Sequence, residues 1–255
     1  VTKEELQAAV DAVPYWYHRI DLPYGIVTPG WAPIDPAAYR IPDDLAGKTV
    51  LDVGAWDGYW TFEAVKRGAA VVAIDDFSDT VGSVTNADRS KKWRTFNLCR
   101  EALGLTEDQC CTYDTSVYNL PKINAWNPVF ADTFQACTYD CIFLFGVLYH
   151  LRSPLLALEI LRDYCDSGGT IHIETAILDG CKSAYSDRIY TAADCAFEFF
   201  PHDEYGLNHS NWWVGTLRGW CGLVEAAGFK NIEHWKLTDN PRNVSETRGF
   251  IRASV

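Results

Sequence analysis

The sequence predicts an α/β protein built on a doubly wound sheet, and three stretches carry that expectation. Residues 50–75, VLDVGAWDGYWTFEAVKRGAAVVAID, read as strand, glycine turn, helix and a second strand that stops on an acid. Residues 140–154, DCIFLFGVLYHLRSP, hold an apolar run suited to a sheet buried on both faces, broken by Gly146. Two hydrophobic runs near the end, Asn231–Trp235 and Gly249–Ala253, flank a polar turn region and read as an antiparallel hairpin.

Each element follows from local chemistry. Thr2 and Glu5 form a capping box that opens a helix to about Val13, and Pro14 ends it. Residues 14–44 are rich in proline, glycine and aromatics without helical period, so they read as an extended arm over the ligand mouth. The sheet begins at Thr49. A helix is expected over 59–67, a strand over 70–75, a helix over 87–103, and strands over 110–114 and 139–145. Ser153 as N-cap and Pro154 at the first position open a helix over 153–165, followed by a strand over 169–174. Residues 176–215 carry Tyr185, Phe197, Phe199, Phe200, His202, Tyr205, His209, Trp212 and Trp213. They read as a lid over an acceptor, or as a satellite aromatic core. A helix over 216–227 stops at Gly228, a C-cap glycine.

The turn Gly54-Ala55-Trp56-Asp57-Gly58 says what this corner excludes. A pyrophosphate rests on bare backbone at a middle glycine, and Trp56 occupies that place. No Lys-Ser/Thr pair follows the glycines, so a P-loop is absent as well. Asp75, at the end of the next strand, suits the two hydroxyls of a ribose. A βαβ unit without ligand, whose glycines only tighten the turn, gives the same spacing.

Asp52-x-Gly54-x-x-x-Gly58, with Asp75 seventeen residues after Gly58, resembles motif I and the second-strand acid of class I S-adenosylmethionine (SAM) methyltransferases. The run Gly146-Val147-Leu148-Tyr149-His150, then Arg152-Ser153-Pro154, is similar to the bacterial tRNA wobble-uridine carboxymethyltransferase superfamily. Residues 16–22 (WYHRIDL), 25–30 (GIVTPG) and 211–216 (NWWVGT) resemble motifs of its smaller members. The likeness runs from about Trp16 to about Phe229. It implies a Rossmann-like seven-stranded class I methyltransferase sheet with an N-terminal arm and an inserted aromatic lid. It implies one domain: helix and arm 1–47, cofactor core 48–175, lid 176–215, and C-terminal helix and hairpin 216–255.

The resemblance also implies a cofactor, SAM, and its contacts. Asp52 is expected near the methionine ammonium, Gly54 beneath the ligand, and Trp56 and Gly58 in the same turn. Asp75 is expected on the ribose, with Ser116 and Val117 bracketing the adenine unless theirs is an ordinary loop. Phe145 and Tyr149 match positions that contact the cofactor in that family. In the tRNA enzyme a lysine in the N-terminal segment and an arginine before the late motif help hold the extra carboxylate of carboxy-SAM. His18 stands at the lysine's place, and residues 208–211 (NHSN) hold no arginine. The expectation is therefore ordinary methyl transfer from SAM to a small-molecule acceptor. A tRNA wobble-uridine enzyme using SAM or carboxy-SAM is the alternative, and a non-catalytic SAM-binding module the second.

Composition bears on these alternatives. With 34 acidic and 22 basic residues the net charge is −12, which speaks against broad phosphate contact. The dense basic run Lys91-Lys92-Trp93-Arg94 reads as a solvated helix face. Nine scattered cysteines without a C-x-x-C pair read as reduced thiols of a cytoplasmic protein. They give no metal-site spacing, even with Cys137 and Cys141 near His150. No apolar stretch reaches the ~18 residues of a membrane span, and the acidic, helical start does not read as a signal peptide.

An acceptor hydroxyl or amine must lose a proton, so a base is expected. His150, which follows the fourth-strand motif, is the first candidate, with a structural role equally open. His18 on the arm is second and His209 third. His172 lies mid-strand among apolar neighbours and reads as a core histidine. Arg152 reads as an anion contact or a surface ion pair.

Overall fold

The computed structural model describes residues 1–32, 34–78, 93–120 and 138–255. In the arm, β1 (Asp21–Leu22) and β2 (Ile26–Val27) form a short antiparallel pair. The main sheet takes β3 (Thr49–Val53), β4 (Ala70–Asp75), β5 (Cys110–Asp114), β6 (Tyr139–Phe145) and β7 (Cys165–Ala176). A two-stranded ribbon, β8 (Phe197–Phe199) with β9 (Trp213–Gly215), lies outside it. The main sheet is completed by β10 (Lys230–Lys236) and β11 (Arg248–Ser254), giving the order β10-β11-β7-β6-β3-β4-β5. β11 is antiparallel to both of its neighbours, and every other adjacent pair is parallel. The chain therefore winds outward from β3 through β4 to β5, then returns to place β6 on β3's other side. This reversal is the switch point at which open sheets bind ligands.

Both faces of the sheet are covered, which explains the apolar runs. Along β6, Ile142 and Leu144 enter one core and Cys141, Phe143 and Phe145 the other. On the first side α5 (Pro154–Asp163) contributes Ala157, Leu158 and Leu161, and α6 (Leu217–Ala226) contributes Leu217, Trp220 and Val224. On the second side lie α1 (Lys3–Asp11), α3 (Tyr59–Lys66) and α4 (Arg94–Ala102), with Leu6, Val10, Trp60, Phe62 and Phe96. Each such large side chain contributes about 1.5–3 kcal/mol on full burial. A one-turn helix, α2 (Pro36–Tyr39), ends the arm.

Several expectations shift in detail. The capping box at Thr2 and Glu5 is formed, with both reciprocal bonds present. Ser153 precedes α5 but its hydroxyl makes no cap bond; its N–H instead donates to the Tyr118 hydroxyl at 2.9 Å. The strand expected over 169–174 extends over Cys165–Ala176, because β6 pairs with it at Cys165 and β11 from Thr170 to Ala176. The helix expected over 87–103 is seen over Arg94–Ala102; residues 79–92, with Lys91 and Lys92, lie outside the described residues. Cys137 does too, and the eight described cysteines are free thiols. No helix among the described residues is long and apolar enough to cross a membrane.

Candidate functional site

The site is built where four parallel strands end. A cleft is lined by Val53 and Gly54 at the end of β3, Ile74 and Asp75 at the end of β4, Thr115–Val117 after β5, and Phe145–Val147 at the end of β6. Tyr17 and His18 from the arm, Trp56, Trp60, His150 and Leu151 close it. Of the residues singled out in the sequence, it gathers Gly54, Trp56, Asp75, Ser116, Val117, Phe145, His18 and His150.

The glycine turn is fixed from below and above. The N–H groups of Gly54 and Ala55 both donate to the Ile74 carbonyl, at 2.8 and 3.2 Å. Gly54 has φ +75°, and a Cβ there would lie 2.4 Å from Val147 Cγ2, so the two strand ends meet only over a bare backbone. Trp56 adopts φ +48°, unusual for a bulky residue, and its N–H donates to Asp75 Oδ2 at 3.0 Å. Asp75 Oδ1 accepts the Phe77 N–H at 2.7 Å. Asp75 thus shapes the turn and faces the cleft at once.

Asp57 joins the arm to this turn. Its Oδ2 accepts the backbone N–H groups of Tyr17 and His18, at 2.8 and 2.9 Å. The carboxylate is fully buried, and burial pushes its pKa up to about 6 against the bonds it accepts. The His18 ring sits with Nδ1 3.9 Å from Asp57 Oδ2, too long for a hydrogen bond, and that nitrogen is buried without a partner. Burial lowers the His18 pKa to about 3, so its imidazole is neutral at physiological pH.

The remaining residues singled out in the sequence lie off the cleft wall. Asp52 is buried and accepts the Thr61 hydroxyl at 2.6 Å; burial raises its pKa to about 6. It therefore ties β3 to α3. Gly58 opens α3 at φ +88°, and a Cβ there would lie 2.6 Å from the Phe96 ring, a packing reason for glycine. Tyr149 is buried beneath His150 and lines an adjoining cavity. His209 is exposed on the insertion. Its neighbour Ser210 meets His150 Nδ1 through both its carbonyl, at 3.0 Å, and its hydroxyl, at 3.1 Å. His172 is buried 3.1 Å from the Thr170 hydroxyl, with its pKa lowered to about 4 by burial. Arg152 stacks on Trp212, 4.3 Å from the ring centre.

The adjoining cavity shares Tyr17, His18, Trp60, Phe145 and Gly146 with the first. Its further walls are Trp31, Ala32, Ile34, Asp35 and Tyr39 from the arm, Tyr149 and Glu174, and Leu237, Ser245, Arg248 and Phe250. The arm walls both cavities, and residues 176–215 line neither, because their aromatics stack on one another, as Phe199 does with Trp212 and Trp213. The insertion buttresses the rim instead: the Trp212 N–H donates to the Tyr149 carbonyl at 2.9 Å. Arg248 and Glu174 are the site residues the sequence did not reveal. Arg248 Nε lies 3.4 Å from Glu174 Oε1, Nη1 is buried without a hydrogen-bond partner, and the guanidinium lies 5.1 Å from the Tyr149 ring centre. An acid inside the apolar run IHIETA was the available signal. Among the described residues no group of three or more His, Cys, Asp or Glu side chains is placed to hold a metal ion.

Known proteins place this geometry in context. A family model described as a methyltransferase domain matches residues 33–234. A tRNA U34 carboxymethyltransferase of Psychrobacter cryohalolentis is 26% identical over 189 residues, covering 74% of this chain and 45% of that protein. One of Dichelobacter nodosus is 27% identical over 187 residues, covering 73% and 47%. The chain thus spans about half the length of these curated relatives. Among solved structures, the N-terminal domain of EvdMO1, in the presence of SAH and D-fucose, superposes with a TM-score of 0.60 at 17% identity, covering 99% of this chain and 95% of that one. The 1,6-didemethyltoxoflavin-N1-methyltransferase of Burkholderia thailandensis gives 0.50 at 14%, covering 82% and 71%. At these identities the structural likeness speaks to the fold.

Proposed function

We propose that this chain, which belongs to the methyltransferase-domain family, transfers a methyl group from SAM to a small-molecule acceptor. The observation that carries this reading is the pair of neighbouring cavities at the switch point, one edged by Asp75 and the other walled by the arm, which share Tyr17, His18, Trp60, Phe145 and Gly146. The first cavity fits the donor. Asp75 lines it at the end of β4, where a carboxylate suits ribose hydroxyls, Ser116 and Val117 form the wall suited to an adenine, and Gly54 leaves the backbone bare. When bound, SAM supplies an electrophilic methyl carbon whose bond to sulfur breaks, the electron pair staying on sulfur, as the acceptor atom bonds to it.

The chain's own residues align, enclose and deprotonate. His18 lines both cavities, so it is placed to take the acceptor's proton, although the burial that lowers its pKa to about 3 makes it a weak base; His150 lines the first cavity alone and is engaged by Ser210. Asp57, 3.9 Å from His18 Nδ1, stabilises the imidazolium as it forms. Tyr17, Trp60 and Phe145, which line both cavities, give the boundary between them an aromatic lining.

A second reading, carboxymethyl or methyl transfer to a tRNA wobble uridine, is supported by the names of the curated relatives. Arg248 also supports it, as a cation in the adjoining cavity beside Tyr149. Glu174 already pairs with that cation, and the net charge of −12 disfavours a polyanionic partner. Parallel calorimetric titrations with SAM, S-adenosylhomocysteine (SAH) and carboxy-SAM separate the two. The small-acceptor reading expects SAM to bind at least as tightly as carboxy-SAM. A tenfold preference for carboxy-SAM, about 1.4 kcal/mol, would favour the tRNA reading.

A further inference from the structure

The adjoining cavity has a polar floor, aromatic walls and a fixed aromatic at its mouth. On the floor, Arg248 and Glu174 neutralise one another at 3.4 Å. Arg248 Nη1 remains a buried donor without a partner, a state that costs free energy unless something completes it. Glu174 Oε2 points toward Gly146, lying 3.7 Å from where a Cβ on that glycine would stand, and Gly146 borders both cavities. A donor and an acceptor therefore sit side by side with no net charge between them. An added carboxylate would meet repulsion from Glu174, whereas vicinal hydroxyls, each both donor and acceptor, satisfy both groups.

The walls agree with that floor. Tyr39 packs against Trp60, Phe145 and Phe250 with ring centres 4.0, 4.9 and 5.0 Å apart, a rigid apolar wall. At the mouth, Trp31 is 56% exposed yet held in place: its Nε1 donates to the Tyr15 hydroxyl at 2.6 Å, and Tyr17 meets its ring edge-on at 5.4 Å. An immobilised, exposed indole is a platform for the apolar C–H face of a flat ring.

We propose that this cavity is the acceptor site and takes a neutral, polyhydroxylated ring of the pyranoside type. One hydroxyl accepts from Arg248 Nη1, its neighbour donates to Glu174, and the ring's C–H face lies along the aromatic wall toward Trp31. A further hydroxyl reaches the junction at His18. This assignment rests on the donor reading above and adds the chemical class of the acceptor.

Saturation-transfer NMR on the full chain loaded with SAH tests it. The probes are a panel of methyl hexopyranosides, uridine and benzoate, and SAH binding is measured in the same samples. The expected result is saturation of the ring C–H protons of one or more hexopyranosides, weakened about tenfold in Trp31→Ala, whose surface position spares the fold. Arg248→Gln gives the same loss, its folding checked by thermal melt. Uridine or benzoate binding in place of the hexopyranosides would overturn the proposed class. Binding of SAH with no probe bound would overturn the acceptor assignment while leaving the donor site intact. Failure to bind SAH would overturn the donor reading and this inference with it.

Discussion

At the scale of single residues, Asp57 and Gly54 set the site as firmly as Asp75 does. Asp57 is one carboxylate with two duties: it receives the arm's backbone at Tyr17 and His18, and it faces the His18 imidazole. Gly54 lets β6's exit pass over β3's exit, with Val147 filling the space a side chain would need. Gly54→Ala is therefore expected to cost about 1–3 kcal/mol through overpacking and its positive φ. Adding Val147→Ala should restore the packing part, and paired thermal melts of the single and double variants measure this. For His18 the sign of the pH effect is fixed. Its folded pKa, about 3, lies below the ordinary histidine value near 6.5, so the folded state binds fewer protons between them. Its contribution to stability is full above about pH 6.5 and is lost as the pH falls toward 3. Asp52 and Asp57, raised to about 6, act in the opposite sense. His18→Gln should thus lessen the acid sensitivity of the melt in that window, and lower turnover by about 10²-fold if His18 is the base.

At the scale of elements, the long strands were legible because two-sided burial leaves a continuous apolar signature, as in Phe143-Leu144-Phe145. The short pairs β1–β2 and β8–β9 were not, since two or three residues have no period to read. Ser153 looked like a cap from its place before Pro154, yet its N–H is taken by Tyr118, a partner 35 residues away in sequence. The wall of the second cavity was illegible for a related reason. Glu174 and Arg248 meet only because β7 and β11 pair with Phe250 opposite Glu174, a register no local pattern encodes. Thr216 caps α6 in the structure: it accepts the Gly219 N–H at 3.2 Å and donates to the Asp194 carbonyl at 2.7 Å. It thereby ties the insertion to α6. Thr216→Ala should cost about 1–2 kcal/mol, seen as a lower urea midpoint with an unchanged slope.

At the scale of the molecule, a seven-stranded sheet with one reversed strand places four strand ends, an arm and an ion-paired floor around one pair of cavities. The motif at Gly54 and the acid at Asp75 were readable because the βαβ unit is contiguous in sequence. The junction with the second cavity needed the arm, pinned from some forty residues away by Asp57. The proposed methyl transfer requires the first cavity to be the donor site. The direct test is calorimetric titration of SAH into the full chain and into Asp75→Ala, each checked for fold by its melt. SAH should bind the unaltered chain and lose about 1–3 kcal/mol of affinity in the variant, the scale of hydrogen bonds to a charged group. Equal affinity in a folded variant, or no binding by the unaltered chain, would contradict it.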